Sequence, residues 1–186
     1  MPRSVSTARL VPNDAASGRA HSDPGSARST RRPLLIVGLV VLVVVLDQIT
    51  KALVVEHLAD EPLSIIGDSV EFRLSRNPGG AFSILTGFTP LLAVLAAIVA
   101  VVLVRVAQRA KDPVVVVALS LVLGGALGNL LDRVFRAPGF LRGEVVDFVR
   151  VGAFPSFNVA DSAITVGAVL LLVWGWRDRD EHRDRR

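Results

Sequence analysis

Four apolar runs constrain this chain more than anything else in it, because each is at or near the ~20 residues that a helix needs to cross the hydrocarbon core of a bilayer. They are Pro33 to Leu46, a stretch within Phe88 to Val104, Pro113 to Leu131, and Ser162 to Trp176. The first reaches spanning length only by continuing through Asp47 toward Ala52, and the fourth only by taking in residues 157–161, so two aspartates fall inside spans. Lipid offers no water to backbone N–H and C=O groups, which leaves helices or a closed barrel as spanning structures. A barrel would show segments of ~10 residues with alternating polarity, and none is visible. The expected fold is an all-α polytopic membrane bundle of four transmembrane helices. Composition agrees: 51% of the 186 residues are hydrophobic, and the mean hydropathy is +0.52.

The polar stretches divide the rest. Residues 1–32 are rich in Ser, Arg, Ala and Pro without apolar periodicity and are expected to form a disordered basic cytoplasmic tail. Residues 33–176 form the membrane domain, and 177–186 a charged cytoplasmic tail. "STRRPLLIVG" (Ser29 to Gly38) resembles an export signal, but its apolar run is too long for a signal core and no small-residue cleavage site follows, so it reads as an anchor. Fourteen Lys and Arg residues fall in the two tails and the connection between the second and third runs, against at most seven on the other side. The positive-inside rule then puts both termini in the cytoplasm. This topology accounts for the net charge of +4, so no nucleic-acid partner is expected. The absence of cysteine removes disulfides, thiol catalysis and thiolate metal sites.

The first outer connection, about His57 to Gly87, contains "SVEFRLS" (Ser69 to Ser75), which alternates as a half-buried strand does. A small sheet on the membrane surface is expected there. In the third connection "GEVVDFVRV" (Gly143 to Val151) has a period that fits either a strand or a surface helix.

Alternating helix direction decides which residues share a face of the membrane. Asp132 ends the third helix on the outside, Asp161 begins the fourth on the outside, and Asp47, Lys51 and the Asn77 loop fall on the same rim. Asn129 precedes Asp132 by three residues and Asn158 precedes Asp161 by three, so each amide shares a helix face with its acid and can orient it. Gly124, Gly128 and Asp132 lie at i, i+4 and i+8, a small-residue stripe that lets another helix or an extended peptide approach. The plain reading of either acid alone is an ion pair of Asp132 with Arg133, or a helix-start acid favoured by the macrodipole at Asp161. Acids inside membrane spans are costly and point to function, and two on one rim, each preceded by Asn, do so more strongly. Such a pair in a poorly hydrated setting shares one proton: the ionised acid takes a proton from water while the other polarises a scissile carbonyl. That is aspartic protease chemistry, without metal or cofactor.

Other chemistries find little support. The three histidines are scattered, Lys51 is the one candidate for a serine/lysine pair on this rim, and no Gly-x-Ser-x-Gly motif occurs. Asp147 is a third outer carboxylate, whose plain reading is a solvated acid. A proton-coupled transporter would also carry membrane acids, but its site belongs at the bilayer midplane. A noncatalytic scaffold that binds signal-sequence helices is a further alternative.

The chain resembles the bacterial lipoprotein signal peptidases (signal peptidase II), four-helix intramembrane aspartic proteases. The resemblance rests on "DQITK" (Asp47 to Lys51), "NPGGAFS" (Asn77 to Ser83), "GGALGNLLDR" (Gly124 to Arg133), "VVDF" (Val145 to Phe148) and "FNVADSAI" (Phe157 to Ile164), in family order over about residues 33–176. It implies Asp132 and Asp161 as the catalytic dyad, with Asp47, Asn77, Gly80, Asn129, Arg133 and Asn158 lining or supporting the site and Lys51 and Asp147 as further supporting positions. It implies a diacylglyceryl-modified prolipoprotein substrate cut on the N-terminal side of its lipidated cysteine. The working enzyme is expected to be a monomer among membrane lipids of the bacterial cytoplasmic membrane, with its active site extracytoplasmic. The apolar signal peptide suits sideways access from lipid, and the glycine stripe would wall its groove. Two positions depart from the family pattern: Gly80 replaces an expected alanine, and Phe154 stands where many members carry tryptophan.

Overall fold

The computed structural model describes residues 24–67, 69–79 and 88–184, with side chains described from Arg32 to Arg179 within those limits. In chain order the elements are α1 (Pro24–His57), β1 (Leu63–Ile66), β2 (Val70–Asn77), α2 (Thr89–Arg109), α3 (Pro113–Phe135), β3 (Val145–Val151) and α4 (Val159–Asp184). All four helices contain segments long and apolar enough to cross a membrane: Arg32–His57, Thr89–Arg109, Pro113–Phe135 and Val159–Arg179. The chain is therefore a multi-pass membrane protein, and four crossings return its ends to the same side.

Local chemistry sets the helix boundaries. Asp112 caps α3 by accepting hydrogen bonds from the N–H groups of Val114 (2.7 Å) and Val115 (3.4 Å), with Pro113 in the first turn. The residue before a proline disfavours the helical conformation, and the connection between α2 and α3 is correspondingly short. α1 begins at Pro24, so residues 24–32, expected to be disordered, are helical. Proline suits a helix start, and Ala, Arg and Ser extend the helix that the apolar run propagates. Residues 1–23 lie outside the described residues. α4 likewise carries helix past Arg177 into the expected charged tail.

α3 is the central helix, packed against the other three. Its small residues permit close approach: Gly124 faces Val43 of α1, Gly128 faces the Asp47 carboxylate, and Gly125 faces the Ala160 carbonyl of α4. The glycine stripe is thus filled by α1, which overturns the expectation that it walls an open substrate groove. Large apolar side chains such as Leu42, Ile49, Leu91 and Ile98 point outward, as lipid-facing residues do.

The three strands form one antiparallel sheet in the order β1-β2-β3, with Ser75 opposite Asp147 and Asn77 opposite Val145. "SVEFRLS" is a strand as its alternation predicts, and the ambiguous "GEVVDFVRV" resolves to strand. Val145, Val146, Asp147 and Phe148 are all buried, because β3 packs on the ends of α1 and α3 while Phe148 meets Phe72 edge-on at 6.1 Å. Successive residues covered on both faces erase the alternation by which a surface strand is recognised.

Gly125→Ala drives a methyl group into the Ala160 carbonyl, whereas a methyl group at Gly38 meets nothing within 4 Å. Gly125→Ala is expected to destabilise the bundle by about 1–3 kcal/mol and Gly38→Ala to be neutral or slightly stabilising. Thermal unfolding in detergent, side by side, measures both.

Candidate active site

One end of the bundle holds a cluster of buried charge assembled from four elements. Lys51 of α1 is fully buried and donates to Asp47 (2.8 Å), to Asp132 of α3 (2.8 Å) and to the Asn129 side-chain oxygen (3.0 Å). The Asp47 Oδ1 atom reaches across the bundle to accept from the Ala160 N–H (3.0 Å), satisfying a first-turn amide of α4 from another helix. Gly128 is needed beneath it, because a Cβ there would lie 2.7 Å from Asp47 Oδ2.

Asp132 is saturated. Its Oδ1 accepts from Arg136 (2.6 Å) and Gln48 (3.1 Å), and its Oδ2 from Lys51 (2.8 Å) and the Val146 N–H (3.2 Å). Two cations hold one fully buried carboxylate, so the expected pairing with Arg133 is not the one formed. Arg133 instead donates from Nη1 to the Asn129 carbonyl (3.1 Å), while its buried Nε has no hydrogen-bond partner. Among the side chains that sequence reasoning overlooked, Arg136 was signalled by its i+4 spacing from Asp132, and Gln48 by its place beside Asp47.

Asn158 and Asp161 form a reciprocal cap at the start of α4. The Asp161 N–H donates to Asn158 Oδ1 (2.9 Å), and the Asn158 N–H donates to Asp161 Oδ2 (3.2 Å). This is the capping-box arrangement with aspartate in the third helical position, which explains their spacing of three. The Asn129 amide, also expected to serve the acid three residues after it, donates across to Asp161 Oδ1 (2.8 Å) instead.

Asp147 of β3 completes the group and corrects the expectation of a solvated acid, since it is only 3% exposed. Its oxygens accept from Asn158 Nδ2 (2.7 Å) and Asn77 Nδ2 (3.1 Å). Burial pushes its carboxyl up to about 6, and the nearby negative charge of Asp161 adds to that, while the hydrogen bonds from Asn77 and Asn158 and the charge of Lys51 pull the other way. Asp147 and Asp161 thus flank one residue, Asn158. Among the described residues neither makes a salt bridge, whereas Asp132 makes two. The ammonium of Lys51 is engaged by acids, which leaves a serine/lysine pair without a free base. Gly80 lies outside the described residues.

A cavity of about 510 Å³ opens beside Asp161, lined by Phe154, Pro155 and Phe157 of the loop after β3 and by Ser162, Thr165 and Val166 of α4. Its walls are largely apolar, and Phe154 remains 63% exposed. The arrangement sets Asp161, and through Asn158 the buried Asp147, beside an apolar recess at the end of the bundle.

A family model described as signal peptidase (SPase) II matches residues 39–177. A lipoprotein signal peptidase of Rhodococcus jostii (strain RHA1) is 48% identical over 153 residues, covering 82% of this chain and 77% of the relative. Another, from Mycobacterium tuberculosis (strain ATCC 25618 / H37Rv), is 45% identical over 152 residues, covering 81% and 75%. A solved structure of a bacterial membrane enzyme superposes with a TM-score of 0.71 at 30% identity, covering 79% of this chain and 90% of the other. With the family model spanning most of the chain and relatives this similar over most of their own length, the protein belongs to the signal peptidase II family.

Proposed function

We propose that this protein removes signal peptides from diacylglyceryl-modified prolipoproteins, cutting on the N-terminal side of the lipidated cysteine, with Asp147 and Asp161 as its reacting acids. Family membership supports the substrate class. The choice of acids rests on one observation: Asp147 and Asp161 flank Asn158 without a cation bound to either, while Asp132 has both oxygens committed to Lys51, Arg136, Gln48 and Val146. A carboxylate whose two oxygens are both committed to cations and further donors has no lone pair left facing a substrate or water. Asp132 therefore moves from the reacting pair to the scaffold, and Asp147 takes its place beside Asp161.

Asp147, which holds its proton more tightly than an ordinary carboxyl, polarises the scissile carbonyl. Ionised Asp161 takes a proton from water as the oxygen adds to the carbonyl carbon, and returns that proton to the leaving nitrogen as the C–N bond breaks. Asn129 and Asn158 aim Asp161 while Asn77 and Asn158 aim Asp147. The distribution of Lys and Arg supports cytoplasmic termini and an extracytoplasmic site. The apolar cavity beside Asp161 supports approach of the substrate from lipid.

With purified protein and a synthetic lipidated lipobox peptide, Asp147→Asn and Asp161→Asn are each expected to lower kcat by about 1,000-fold or more while retaining peptide binding. Asp132→Asn is expected to lower thermal stability, with activity falling in step with the folded fraction. Full turnover by Asp147→Asn, together with loss of turnover in a folded Asp132→Asn protein, would return Asp132 to the dyad. Peptide binding without cleavage by the unaltered chain would favour a scaffold.

The proton affinity of Asp147 also predicts how stability varies with pH. A carboxyl raised from 3.8 to about 6 disfavours its ionised form by roughly 3 kcal/mol. Below about pH 4 the group is protonated in both states and this cost is absent; the cost grows as pH rises from about 4 through about 6 and is complete above that. Asp147→Asn should therefore melt at a higher temperature than the unaltered protein at pH 7, with the difference shrinking toward pH 4. Melting curves across that range measure it.

A further inference from the structure

We propose that Lys51 is a positioning residue that sets the orientation of the Asn129 side-chain amide, and through it the hydrogen bond that aims Asp161. This rests on the reading of Asp161 as a reacting acid. The oxygen and nitrogen of an asparagine amide are nearly alike in shape, so packing alone does not decide which of them faces Asp161. With oxygen toward the carboxylate the contact would be repulsive, and Asp161 Oδ1 would lose a donor.

Chemistry decides instead. An ammonium group has three donors and no acceptor. The three donors of Lys51 are directed at Asp47, Asp132 and Asn129 at 2.8, 2.8 and 3.0 Å, in a side chain with no exposure to solvent. The Asn129 atom facing Lys51 must then be the oxygen, which turns the NH2 group toward Asp161 at 2.8 Å. Asn158 Nδ2 also reaches the Asn129 oxygen, at 3.2 Å, but that neutral group is shared with Asp147 (2.7 Å) and the Val146 carbonyl (3.3 Å). Charge-assisted bonds are roughly twice as strong as neutral ones, so the ammonium is the stronger determinant. The chain Lys51, Asn129, Asp161 links α1 to α3 to α4, and the two acids on Lys51 keep its charge tolerable in the bundle.

The test is a double-mutant cycle in purified, lipid-reconstituted enzyme with the lipidated lipobox peptide, read as kcat and KM separately. Lys51→Met is expected to lower kcat by about 10-fold to 100-fold with little change in KM, since misaiming a reacting group by about an ångström has effects of that order. Asn129→Ala should lower kcat comparably. In the Asn129→Ala background Lys51→Met should lower kcat by no more than about 2-fold further, because the residue through which it acts is gone. The cycle is repeated in an Asp47→Asn background, where the loss of Lys51 leaves one fewer acid uncompensated and the fold is better preserved. Equal fold-losses from Lys51→Met with and without Asn129, or a loss confined to KM, would overturn the proposal. Retained turnover in Asp161→Asn would instead overturn the assignment of the reacting acid.

Discussion

A charge buried in a membrane bundle must be neutralised within reach of its own side chain, and one end of this protein is organised by that requirement. Lys51 cannot lie fully buried unless acids surround it, and Asp47 and Asp132 are fully buried because Lys51 is there. Each pairing brings an element with it. Asp47 holds the first turn of α4 through Ala160, and Asp132 holds β3 through the Val146 N–H and the last turn of α3 through Arg136. The residues on either side of these anchor points are Asp161 and Asp147. The cluster that looks catalytic by its density of charge is therefore the frame on which a second, less compensated pair of acids is hung.

Compensation separates the two kinds of carboxylate. Asp132 bonds to two cations and two further donors; the hydrogen bonds to Asp147 and Asp161 come from amides, with Lys51 and Arg133 acting on them only at longer range. An acid held by cations is fixed in place by several strong contacts, which suits a strut. An acid held by amides in a poorly hydrated pocket can change state, which suits proton transfer. Asparagine serves this purpose well because it orients a carboxylate without fixing its charge.

Much of the fold was legible in the chain. Helix length against bilayer thickness identified four crossings, the alternation in "SVEFRLS" identified β2, and the spacing of three paired Asn158 with Asp161 at the start of α4. Asp147 was harder to read. Its strand is covered on both faces, so no alternation advertised it, and an acid in a loop region reads as solvated until the sheet is seen to press it onto the helices. Asn129 was legible as an amide partner but not as the partner of Asp161. The glycine stripe was legible as a close-approach surface but not as one occupied by α1.

Sequence by itself determined the class of protein, the four spans and the set of polar residues gathered at one end, because hydrophobic length and helix direction are properties of consecutive residues. Only the tertiary structure decided which acids are paired with cations and which accept hydrogen bonds from amides. That depends on where Lys51 and Arg136 place their charges relative to Asp47, Asp132, Asp147 and Asp161, which lie on four different elements. Distances of a few ångströms between residues many positions apart set those interactions, and no local pattern in the chain encodes them.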